Sequence, residues 1–283
     1  MSFHEKPVTF VKDVNIKVQN LERSLQYYQE VIGLKILEQS AKSAELTADG
    51  KTCILSIEQP ENAKPKQRGT TGLYHFALLV PRRSDLANVV NHFIEKGIRI
   101  GSSDHLVSEA LYLNDPDGNG IEIYVDRDPS EWEWKNNEVA MTVDPLDFTD
   151  LLKTADSEEP WDGLPEGTVM GHIHLHVSQL EKAEEFYTKG LGFEVVNRFG
   201  DQALFISTGN YHHHIGLNMW AGAGAPAPSL ESSGLESYTI ILPDEEYRKN
   251  VVTRLERIGA YVKEEGGGII TSDPSGNIIH LEV

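Results

Sequence analysis

Cysteine is almost missing from this chain, with Cys53 alone among 283 residues. An intramolecular disulfide cannot form, and neither a CxxC redox pair nor a zinc ribbon can be assembled. Basic residues are also scarce. Lys and Arg number 25 against 44 Asp and Glu, a formal charge of −19, which disfavours nucleic acid and the anionic face of a membrane as partners. No apolar stretch approaches the ~20 residues of a membrane span, and the opening Met1-Ser-Phe-His-Glu-Lys lacks a signal-peptide core. A cytoplasmic location is expected. Hydrophobic residues at 39% and charged residues at 24% are ordinary, so a folded chain is expected, long enough for two domains that each bury a core.

What the sequence does have is repetition. DVNIKVQNLERSLQYYQEVIGL (13–34) superposes on HIHLHVSQLEKAEEFYTKGLGF (172–193) at a constant offset of 159. GLYHFALLVPRR (72–83) matches GLESYTIILPDE (234–245), and the segments that follow end alike, in DPDGNGIEIYV (115–125) and DPSGNIIHLEV (273–283). Four units of about 50–60 residues result. Each opens on an alternating strand such as VNIKV or HIHLHV. An amphipathic helix follows, as in LERSLQYYQEVIG, where Gly33 takes the position after the helix that tolerates a left-handed backbone. Short strands complete the unit, giving an α+β pattern of β-α-β-β-β repeated four times. The sequence divides into a first domain at 8–126 (modules one and two), a linker at 127–167 and a second domain at 168–283 (modules three and four). The linker, with Trp132, Trp134 and Trp161, is long enough to wrap a surface or form part of a lid.

The strand–helix openings and D-P-x-G-N endings resemble the vicinal oxygen chelate superfamily over nearly the whole chain. That resemblance implies modules paired into two curled, mostly antiparallel sheets enclosing a cavity. It also implies metal ligands at the start of a module's first strand and in the middle of its last. The family spans glyoxalase I, extradiol ring-cleaving dioxygenases, epimerases, fosfomycin-resistance transferases and metal-free bleomycin-binding proteins, so the residues at those positions must separate the functions. The first-strand position holds Asp13, His75, His172 and Ser237 in modules one to four. The last-strand position holds Glu122 in module two and His280 in module four, and falls near Ile57 and Gly216 in modules one and three. Modules two and three thus offer His75, Glu122 and His172, while modules one and four offer only Asp13 and His280. The first set requires modules two and three to pair in space, leaving one to pair with four.

Two histidines and a carboxylate form a facial triad, which leaves adjacent positions of an octahedral ion open, as in non-haem Fe(II) oxygenases. Around them, the run from His105 through Val107-Ser108 to Tyr112, ten residues before Glu122, is similar to the extradiol dioxygenase motif. His213-His-Ile-Gly-Leu fits that family's catalytic histidine before an apolar strand; His212 or His214 could equally be the residue that faces the metal. The resemblance therefore implies an Fe(II)-dependent extradiol dioxygenase, close to catechol 2,3-dioxygenases in aromatic compound degradation, acting on a catechol or hydroquinone-like diol with O₂. His213 would be the proton-transfer group, with Tyr112 and His105 holding the substrate oxygen. Mn(II) is an alternative ion. A glyoxalase-like lyase or isomerase would use Zn or Ni and needs a second carboxylate, which Gly216 does not supply. A bleomycin resistance-like protein would sequester a ligand without metal. A homo-oligomer is compatible with the sequence.

Overall fold

The computed structural model describes residues 2–155 and 161–283; residues 156–160 of the expected linker lie outside the described residues. Two eight-stranded sheets dominate, with helices few and mostly short. None of the described helices is long and apolar enough to cross a membrane.

Each module builds half a sheet. Its first strand carries the helix connection and pairs in parallel with its own last strand, as Val14–Lys17 with Leu55–Glu58 and His75–Leu79 with Gly120–Tyr124. The other edge of the first strand still needs a partner for its backbone groups. That partner is the first strand of another module, always antiparallel. Phe10–Lys17 pairs with Gly234–Ile241, and Gly72–Leu79 pairs with Val169–His176. Module one therefore shares a sheet with module four, and module two with module three. The sequence halves 8–126 and 168–283 are repeats along the chain, but neither sheet is confined to one of them. One buried apolar core, from Val11 to Leu281, draws on all four modules.

The recurring D-P-x-G-N endings have a local cause and a distant one. Asp115 accepts from the backbone N–H groups of Asp117 and Asn119 and from the Asn119 amide, closing its own turn. Gly118 completes that turn at φ +82°, a conformation that suits a residue without Cβ. The second oxygen of Asp115 accepts from the Tyr28 hydroxyl at 3.0 Å, so the module-one helix docks on the module-two turn. Asp273, Ser275, Asn277 and Tyr187 repeat the arrangement between modules three and four. These turns fix where the last strands begin, Gly120–Asp126 and Ile278–Glu282.

The helices of modules one and three end unusually. Leu21–Tyr27 is α-helical, but Tyr28–Ile32 widens to a π turn, with the Gly33 N–H reaching the Tyr28 carbonyl at 3.0 Å. Gly33 follows in the left-handed conformation at φ +88°, as its position predicts. The linker wraps the surface. Trp132 is buried against Phe3, Tyr211 and His212, and Leu146 and Leu151 join the main core.

Candidate metal centre and cavity

His75, Glu122 and His172 reach one point from three neighbouring strands. Register explains why. Ala77 on the central strand lies opposite His172 on one side and beside Glu122 on the other, while His75 sits two residues away on the same face. The small Ala77 side chain leaves the larger three room to converge. Their ligand-type atoms all lie within 4.8 Å of one another, and no other such set occurs among the described residues. Glu122 Oε2 is 3.0 Å from His75 Nε2 and 3.2 Å from His172 Nε2. All three side chains are buried.

The electrostatics hold Glu122 charged and His172 neutral. Burial pushes the Glu122 carboxyl up, but the two imidazoles overcome it and hold the group well below the usual carboxylate range. Burial lowers His172 to about 4 against the opposing pull of Glu122, so its imidazole is neutral near pH 7. A metal ligand needs that state. His75 Nε2 lies close to the carboxylate yet is not aligned to donate to it, and has no hydrogen-bond partner. A buried, orphaned nitrogen facing a carboxylate oxygen is the arrangement that a cation between them would satisfy.

Beside the three lies a cavity of about 300 Å³. Its walls come from both modules and from the linker, which contributes Met141, Thr142 and Val143. His105, Tyr112 and His213 also line it. Tyr112 stands directly across from Glu122 in the antiparallel ladder. Burial, and then the charge of Glu122, keeps its phenol neutral. His105 Nε2 and the Tyr112 hydroxyl are 2.6 Å apart, and His105 Nδ1 donates to the Thr142 carbonyl at 2.6 Å. The two residues are thus linked in series rather than set side by side.

Of the three consecutive histidines, only His213 lines the cavity. His214, in the bend just before the strand Ile215–Asn218, points away from the cavity, and its Nε2 donates to the Phe3 carbonyl at 2.9 Å. His212 is enclosed between Trp132 and Tyr211. None of the three is solvated. The His213 ring lies 4.1 Å from that of His172, and burial, reinforced by neighbouring histidines, keeps it neutral well below its ordinary pKa.

Sequence reasoning missed His174. Its ring is buried 5.0 Å from that of His75, with Nε2 unpartnered, and it lines the same cavity. The alternation of His172, His174 and His176 in HIHLHV held that signal, since residues two apart share a strand face. Gly216 makes the space. A Cβ there would stand 2.8 Å from two atoms of the His174 ring. The position where a fourth, carboxylate ligand could project is filled by an imidazole from the adjacent strand.

Comparison with known proteins decides the family. The model of the Glyoxalase/Bleomycin resistance protein/Dioxygenase superfamily matches residues 11–123 and 169–281. The chain belongs to this superfamily. Within the superfamily it is 46% identical over 276 residues to catechol-2,3-dioxygenase of Bacillus subtilis (strain 168), covering 96% of each protein. A solved structure from the same species superposes with a TM-score of 0.67 at 15% identity, covering 98% of this chain and 86% of that one. Glyoxalase I from Zea mays gives 0.59 at 17% identity over 96% and 92%. At such identities the structural likenesses speak for the superfamily fold alone.

Proposed function

We propose that this chain is an Fe(II)-dependent extradiol ring-cleaving dioxygenase acting on a catechol or hydroquinone-like aromatic diol, with His75, Glu122 and His172 holding the ion. The observation that carries the proposal is the buried His–Glu–His set, with its orphaned His75 Nε2, opening on a cavity of about 300 Å³. The 46% identity to a catechol-2,3-dioxygenase supports it. Held by these residues, the ion would supply Lewis acidity toward a hydroxyl of the diol. The donor set suits Mn(II) as well.

The protein's own groups then have distinct tasks. His213, neutral and next to His172, accepts a proton from the diol and later returns it, the work of a general base and acid. Tyr112 and His105 hold the substrate oxygen through their shared hydrogen bond. The apolar walls, including Phe205 and Val107, exclude water from a site where charge develops. Both atoms of O₂ end in the product, a semialdehyde opened next to the two hydroxyl-bearing carbons.

The test is anaerobic titration of the metal-free protein with Fe(II), followed by O₂ uptake with plain catechol. One ion per chain and one O₂ consumed per diol are expected. Lyase or isomerase turnover without O₂ uptake would favour the Zn- or Ni-dependent glyoxalase class instead. Failure to retain any metal while an aromatic ligand still binds would favour sequestration.

A further inference from the structure

The loop Gly209–His214 sends its three histidines to different places, and one of those placements has no part in the account above. His212 Nδ1 is 2.8 Å from His213 Nδ1, and His212 Nε2 is 2.8 Å from Asp126 Oδ1. His212 has no solvent exposure, whereas Asp126 lies at the end of a strand with its side chain 19% exposed. The same Oδ1 also accepts from the Tyr211 hydroxyl at 3.3 Å, and Tyr211 in turn accepts from Tyr124 at 2.7 Å.

With one proton on each imidazole, this chain has a single consistent arrangement. A carboxylate can only accept, so His212 must carry its proton on Nε2. Its Nδ1 is then an acceptor, and the hydrogen facing it must belong to His213 Nδ1. That leaves His213 Nε2 with a free lone pair. We infer that Asp126 and His212 are positioning residues that fix the tautomer and ring orientation of His213, so that its unprotonated Nε2 faces the cavity. The logic is that of a carboxylate holding a catalytic imidazole in one tautomer, here transmitted through a second imidazole. The inference rests on the reading of His213 as the proton-transfer group. Backbone geometry contributes, because His214 N–H bonds the Ile206 carbonyl and locks the loop into the strand that follows.

The experiment uses the full chain, metal-free and labelled with ¹⁵N-histidine. Two-bond ¹H–¹⁵N correlations report which ring nitrogen carries hydrogen, and the His213 signals are those lost in His213→Phe. The wild type is expected to show His213 protonated on Nδ1. Asp126→Leu and His212→Phe are expected to release it into a mixture of tautomers. In the iron-loaded protein the same two variants should lower kcat roughly ten- to hundredfold, less than the ~10²–10⁴-fold expected for loss of the general acid–base group itself, with KM for catechol within about twofold. A wild-type His213 protonated on Nε2 would overturn the inference even if neither variant folds. So would an unchanged His213 tautomer in both variants. Full ring cleavage by His213→Phe would instead overturn the base assignment, and the metal-free spectra separate that failure from the other.

Discussion

Gly216→Ala tests how tightly the cavity floor is built. The added Cβ would lie 2.8 Å from Cδ2 and Cγ of His174, whereas carbon atoms rest at about 3.5–4.0 Å. The shortfall is at least about 0.7 Å. The ring cannot retreat freely, because Tyr74, Phe205 and Trp220 surround it with centroids 5.1, 5.6 and 5.4 Å away. Two outcomes share the cost. If the ring holds, overpacking should destabilise the fold by roughly 1–3 kcal/mol, a fall in Tm of about 2–10 °C for a chain of this size. If the ring yields, it moves into the cavity beside His75, the stability loss shrinks, and KM for catechol rises instead. Thermal unfolding and steady-state kinetics on one preparation distinguish these. The control is the double variant with His174→Ala, in which the added methyl meets no ring. The two substitutions should then be strongly non-additive, with a coupling of 1 kcal/mol or more in a cycle of the kind that detects direct contact. Additivity, with Tm and KM unchanged in Gly216→Ala, would refute the claim that this glycine exists to seat the imidazole.

The other expectations are more direct. Glu122→Ala should abolish Fe(II) retention and turnover together, whereas His213→Ala should keep iron and lose about 10²–10⁴-fold in kcat; iron analysis beside the rates decides, and iron loss in His213→Ala would exchange the assigned roles. Titration with excess metal should saturate at one ion per chain, because in modules one and four Asp13 is engaged by Thr239 and Lys12 and only His280 remains; two tightly held ions would contradict this. Metal-free stability should fall as pH drops from about 6.5 towards 4. The folded His172 sits near 4, below its ordinary 6.5, so the unfolded chain takes up the proton first, and about 3 kcal/mol present above pH 6.5 is lost by pH 4. His174, His213 and His214 are shifted in the same direction by burial, and urea midpoints that stay flat or rise across this window would refute the reading. Uncharged catechols with an apolar substituent should outperform carboxylated ones, since Tyr74, Val143, Phe199 and Trp220 are 40–70% exposed along the cavity wall and, among the described residues, no Lys or Arg lines it. Each added methylene buried there is worth up to ~0.8 kcal/mol, roughly fourfold in kcat/KM, and equal rates for a carboxylated catechol would count against it.

Where sequence was informative, the cause was local. The D-P-x-G-N motif is legible because Asp115 and Asn119 close their own turn, and Gly33 because its backbone conformation is nearly a glycine property. His75, Glu122 and His172 were found at the positions that the superfamily resemblance implies, counted from the strand opening and from the turn, and the structure brings the three side chains together. The His212–Asp126 bond joins residues 86 apart, and the Phe3–His214 bond joins residues 211 apart, so neither leaves a periodic trace. Which of three adjacent histidines faces the cavity is set in the loop before the strand Ile215–Asn218, where no strand periodicity applies. The π turns after Tyr27 and Glu185 have no composition cue that separates them from ordinary helix.

The pairing of module one with four and two with three has a consequence for how the molecule is made. The modules are nested like brackets, so synthesis opens two sheets before it closes either. When residue 126 has been added, the strands Phe10–Lys17 and Gly72–Leu79 each still lack their antiparallel neighbour. The inner sheet closes first, on arrival of Val169–His176; the outer one must wait for Gly234–Ile241. The nascent chain therefore carries an open, apolar β edge through most of its synthesis, a liability toward other chains. It also cannot bring His75, Glu122 and His172 together early, because Glu122 and His172 come from opposite sides of the linker, 50 residues apart. Capture of the proposed ion is thus expected only after the inner sheet closes, and a chain truncated before residue 172 lacks one of the three side chains proposed to hold it.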